Sequence, residues 1–68
     1  MVDTQRFMEA VDKSGLKMRY IADELGMTYT SLYRKSRNMA RFRKTEVEAF
    51  CKVVGLKTKA DRDVIFVP

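Results

Sequence analysis

The stretch IADELGMTYTSLYRK (residues 21–35) decides how this chain is read. Its first half is patterned as a helix. With Met18 ahead of it, Ile21, Ala22 and Leu25 recur at three- and four-residue steps, so they share one face. Gly26 breaks the pattern, and glycine closes a helix in the left-handed conformation without penalty. Thr28 then stands where an N-cap belongs, and a new helix is expected from about Tyr29 to Ser36. Met27 before that cap and Leu32 beyond it have the spacing of a hydrophobic staple. The expected layout is a helix from about Lys17 or Met18 to Leu25, a turn containing Gly, and a second helix. That is a helix-turn-helix over about 17–36. Small Ala22 lets the two helices cross closely, with Ile21, Leu25, Met27 and Leu32 burying the joint.

The second helix is thinly apolar. Leu32 faces inward, while Tyr29, Thr30, Tyr33 and Arg34 lie on the opposite side. A segment so poorly equipped to be core is suited to present its outer face to a partner. Tyr33 is alternatively part of the core, and Lys35 alternatively a plain solvated charge.

Outward from this centre the chain stays helical. Asp3 or Thr4 can cap a first helix in which Phe7, Met8 and Val11 share a face, with Gly15 as its stop. Residues 37–43 read as a loop anchored by Phe42. A fourth helix, about Lys44 to Val54, carries Val47, Phe50, Cys51 and Val54 on one stripe and stops at Gly55. Its cap is either Thr45, or Arg43 with Glu46 as third helical residue. TKADRD offers a further turn capped by Thr58. VIFVP, rich in β-formers and ending in proline, suits a terminal strand or an extended tail. The expected fold class is all-α: one small domain over 1–68, a four- to five-helix bundle with a tail over about 57–68.

The chain has 68 residues, 46% hydrophobic and 34% charged, a composition of globular rather than disordered proteins. No apolar run approaches a membrane span and no signal peptide is evident, so the protein is expected to be soluble and intracellular. There is no histidine, which removes the commonest general base and metal ligand. The single cysteine, Cys51, excludes an internal disulfide and reads as a small buried hydrophobe. The adjacent acids Asp23 and Glu24 point apart on a helix, and Asp61 and Asp63 flank Arg62 near the end of the chain. Neither pair makes an acid–base site or a metal cage. An enzyme is therefore the least favoured reading, and no cofactor and no small-molecule ligand are expected.

Net charge is +5, and the excess lies in one window. From Arg34 to Lys44 the chain reads RKSRNMARFRK, with six Lys/Arg and no acid; elsewhere the two signs nearly balance. A basic run this dense, adjoining a hydroxyl-rich helix start, favours binding of a polyanion over a merely solvated face.

IADELGMTYTSLYRK resembles the helix-turn-helix of the Cro/C1-type (XRE) family of phage and bacterial transcriptional regulators. The matching residues are Ile21, Ala22, Leu25, Gly26, Met27 and Leu32. FRKTEVEAFCKVVGL (residues 42–56) is similar to that family's following stretch, so the resemblance covers roughly Phe7 to Leu56. It implies a lambda-repressor-like bundle and a cytoplasmic regulator that binds double-stranded operator DNA as a homodimer on a palindromic site. Carried over by position, it implies base reading by Tyr29, Thr30 and Arg34. Arg34 can donate a bidentate pair to guanine O6 and N7, and the Thr30 methyl can meet a thymine methyl. Phosphate contacts are expected from Lys17, Thr28, Ser31, Tyr33, Lys35, Arg37, Arg41, Arg43 and Lys44.

Two departures stand out. Many members carry Gln or Thr where this chain has Lys17 and Met18, so Lys17 is expected to replace that contact. Many have an apolar residue where this chain has Lys35 and Ser36, so the last turn of the second helix is expected to be loosely held. The dimer surface is expected at Val64, Ile65, Phe66 and Val67, or else this tail packs back on the first helix. Two other readings stay open: a helix-turn-helix module binding an acidic protein surface, and nonspecific packaging of nucleic acid by the basic window.

Overall fold

The computed structural model describes residues 1–67. Five helices follow one another: α1 (Thr4–Ser14), α2 (Met18–Glu24), α3 (Tyr29–Ser36), α4 (Lys44–Val54) and α5 (Lys59–Ile65). Each begins where local chemistry permits. The Asp3 carboxylate accepts the N–H of Arg6 at the head of α1, and Thr28 and Thr58 accept the N–H groups of Ser31 and Asp61 at the heads of α3 and α5. At α4, Glu46 reaches back to accept the N–H of Arg43 at 2.8 Å. That is one half of a capping box; arginine, which only donates, cannot supply the other half.

The joint between α2 and α3 forms as its residues predict. Gly26 takes φ +72°, its N–H bonds Asp23 O at 3.0 Å, and the Met27 N–H bonds Ala22 O at 3.0 Å. This Schellman closure satisfies the trailing carbonyls of α2 and turns the chain directly into the cap of α3. Ile21, Ala22 and Leu32 are fully buried there, with Leu25 and Met27 packed against them.

The core is continuous with this joint. Val2, Phe7, Val11, Ile21, Ala22, Leu32, Phe50 and Ile65 form one buried cluster. All four phenylalanines meet in it. Phe7 stacks on Phe50 at 4.5 Å between centroids, and Phe66 meets Phe7, Phe42 and Phe50 edge-on. Phe42 thus anchors the α3–α4 loop, as its sequence setting suggests. Cys51 is buried; burial pushes its thiol pKa up, with nearby Arg62 partly opposing the shift.

The C-terminal segment differs from expectation. VIFVP forms no strand among the described residues: Val64 and Ile65 continue α5, and Phe66 makes a single antiparallel bridge with Val2. Pro68 lies outside the described residues. The Thr58 cap and the Asp61 N–H start a helix that β-propensity alone does not predict, and burial of Ile65 rewards its continuation. The tail packs back on the bundle, so Ile65, 3% exposed, and half-buried Phe66 are core rather than free dimer surface. Val64 and Val67 remain exposed.

The extended start of the chain is gripped on both edges. On one edge the Asp3 N–H bonds Ile65 O at 2.7 Å and the Val67 N–H bonds Met1 O at 2.8 Å. On the other, Asn38 acts as a substitute strand: its Oδ1 accepts the Val2 N–H at 2.7 Å and its Nδ2 donates to Val2 O at 2.9 Å. Asn38 holds φ +63°, a conformation that asparagine tolerates better than most residues. No helix among the described residues is long and apolar enough to cross a membrane.

Candidate nucleic-acid interface

Two buried residues seat α3. Leu32 is 0% exposed and fills the joint with α2. Ser36 is 1% exposed: its hydroxyl donates to Tyr33 O at 2.7 Å, and its carbonyl accepts from the Thr4 hydroxyl at 2.6 Å. The expectation of a loosely held last turn is therefore overturned. A small polar residue with every bond met replaces the apolar anchor, and α1 supplies the partner.

Lys35 is a second correction. Its Nζ lies 3.2 Å from Glu46 Oε1 and donates to Arg41 O at 2.9 Å, and its side chain is only 13% exposed. It ties α3 to the loop and to the head of α4, so it is neither a solvated charge nor a free phosphate ligand. Glu46 receives both Lys35 and the Arg43 N–H. Burial alone raises the pKa of this carboxyl, but those bonds and the charges of Lys35 and Arg43 outweigh it and hold it below its ordinary value.

Among the described residues the ion pairs are Lys35–Glu46 and Arg6–Glu9, which leaves exposed Arg34, Arg41, Arg43 and Lys44 without acidic partners. Arg41 and Arg43 contribute backbone groups to the knot around Lys35 and Glu46, so their side chains start beside the C-terminal end of α3. Lys17 stands apart, exposed at the head of α2.

The outer face of α3 carries two rows. Thr30 and Arg34, both exposed, form one row four residues apart. Tyr29 and Tyr33 form the other. They are 45% and 40% exposed and stack at 6.4 Å with 25° between rings. Arg37 completes that row, its guanidinium carbon 4.9 Å from the centre of the Tyr33 ring. Tyr33 is thus on the surface, not in the core. Thr28 is exposed and half-buried Ser31 follows it; because the Thr28 oxygen accepts the cap bond, its own O–H stays able to donate.

Reading the sequence alone misses the Tyr29–Tyr33–Arg37 ladder, although its four-residue spacing was visible. It also misses Asn38, whose role depends on two segments distant in the chain. The face is geometrically suited to a groove: a helix with its side chains is about 10–12 Å across, and the major groove of B-DNA is about 12 Å wide.

Other parts of the surface offer less chemistry. A cleft of about 540 Å³ beside Val2, Asn38, Phe42 and Phe66 has Arg41 as its one ionisable side chain. Among the described residues no three His, Cys, Asp or Glu side chains come together to hold a metal ion. Comparison with protein-family models, with curated proteins and with solved structures finds no match to this chain.

Proposed function

We propose that this protein is a sequence-specific, double-stranded-DNA-binding transcriptional regulator of the Cro/C1 kind. In this reading α3 enters the major groove and the basic loop that follows it grips the phosphates. The observation that carries it is the division of α3. Leu32 and Ser36 anchor one side, while Tyr29, Thr30, Tyr33 and Arg34 are exposed on the other, beside cations that lack acidic partners. Arg34 is the residue for guanine, with Thr30 and Tyr29 on neighbouring bases. Arg37, Arg41, Arg43 and Lys44, with Lys17, Thr28 and Ser31, supply affinity and register.

One short helix reads few base pairs, so a homodimer on half-sites about one helical turn apart goes with this reading. Its surface would draw on Val64 and Val67, the tail residues the core leaves exposed.

Selection of bound sites from random duplex DNA tests the proposal, with a two-fold symmetric motif as the expected result. Arg34→Ala should then relax choice at one base pair, whereas Arg41→Ala should weaken all sequences alike. Binding without any enriched motif would instead mean nonspecific packaging. No binding at all would leave the basic face to an acidic protein partner.

A further inference from the structure

Hydrogen bonds alone do not account for the outer face of α3. Its polar row, Thr30 and Arg34, is matched by a row that carries two exposed tyrosine rings. Tyr29 and Tyr33 are stacked on each other, and the Arg37 guanidinium lies against the Tyr33 ring from the C-terminal side. Each ring has a neighbour one turn away, so the pair forms a continuous aromatic strip. From Tyr29 to Arg37 the row covers about 12 Å of helix axis. Half-exposed aromatic rings stacked in this way gain most when something apolar covers them.

In the major groove, the edges of the four ordinary bases offer one apolar group: the 5-methyl of thymine. Methylation of cytosine places the same group at the same position on that ring. We propose that Tyr29 and Tyr33 form a methyl-reading strip that takes pyrimidine 5-methyl groups beside the base pair contacted by Arg34. This rests on the DNA-binding reading above and adds to it a chemical class of determinant. Arg34 selects by hydrogen bonding, and the tyrosine strip selects pyrimidines by their methyl. Arg37 acts as a positioning residue, since it touches the strip through Tyr33. The site would thus be sensitive to cytosine methylation as well as to sequence.

The test uses the intact chain and the duplex enriched by selection, with deoxyuridine replacing thymidine one position at a time. That exchange removes only the methyl. Loss of binding by about fourfold is expected for each methyl the strip covers, at one or two positions per half-site. Replacing the same thymine by cytosine should weaken binding, and 5-methylcytosine there should recover the methyl-dependent part. With Tyr29 and Tyr33 both replaced by Ala the thymidine and deoxyuridine duplexes should bind alike, while Tyr33→Phe should keep the difference. An enriched duplex whose deoxyuridine forms all bind as tightly as the parent overturns the methyl-reading strip and leaves the DNA-binding reading intact. Failure to enrich any duplex overturns both. The deoxyuridine series needs no altered protein, so its outcome does not depend on how a variant folds.

Discussion

Phe7, Phe42, Phe50 and Phe66 meet inside the bundle, whereas Tyr29 and Tyr33 stack on its outside. The two clusters use similar rings for different ends, the inner stack closer at 4.5 Å than the outer at 6.4 Å. The phenylalanines carry no polar atom, so complete burial costs nothing in lost hydrogen bonds, and they join α1, α4, the α3–α4 loop and the residue after α5. The tyrosines are 45% and 40% exposed and stack on each other, with Arg37 against the Tyr33 ring. Aromatic contact inside the bundle is spent on stability; on α3 it shapes a surface. A small domain has few large side chains to place, and Tyr29 and Tyr33 are among those it leaves outside.

The largest expected effect breaks the inner cluster. Phe7→Ala removes a fully buried ring that touches the other three and should cost about 3–5 kcal/mol. Domains of this kind have little stability to spare, so a thermal melt should show a chain largely unfolded at moderate temperature. A cooperative melt near that of the parent would show that the inner stack is not the keystone its geometry suggests.

A smaller effect is expected at the polar boundary between the clusters, where Lys35 pairs with Glu46. Lys35→Met should cost about 1 kcal/mol at neutral pH. The pairing also sets a pH dependence. The folded-state pKa of Glu46 is lowered from its ordinary value of 4.5, so its contribution is complete above that value and is lost as pH falls through the folded value. Urea midpoints measured from neutral to acidic pH should fall in that window, and Glu46→Gln should flatten the decline. Parallel curves for parent and variant would sink this assignment.

The smallest effect on stability should come from the outer cluster. Tyr33→Ala is expected to stay within about 0.5 kcal/mol of the parent in the same urea titration, because Tyr33 is exposed and lies outside the core cluster. A loss as large as that of Phe7→Ala would erase the distinction between the clusters.

Much of this was legible in sequence because it is local. The three- and four-residue apolar steps, the caps at Asp3, Thr28 and Thr58, and the Gly26 turn depend on neighbours within a few residues, and the all-α bundle follows from them. The errors came where distant segments decide. Ser36 looked like a weak end to α3 because its partner, Thr4, sits 32 positions away. Lys35 looked free because Glu46 is on another helix. Val64 and Ile65 looked like strand because β-branched residues favour it, yet Thr58 caps a helix that delivers Ile65 to the core. The candidate face of α3 was readable as a set of outward residues; the stacking that orders three of them was not.

The grip on Val2 bears on the order in which the protein assembles. The helix-turn-helix joint needs only contacts close along the chain, which form early and cheaply. Met1 and Val67, by contrast, pair across 66 positions, and Asn38 reaches Val2 across 36. Closing loops of that length carries the larger entropic cost and slows the step that requires it. The bonds between Asn38 and Val2 are therefore expected to form late, with those that join residues 1–3 to 65–67. Release of Val2 would thus free the Asn38 side chain, just beyond the C-terminal end of α3.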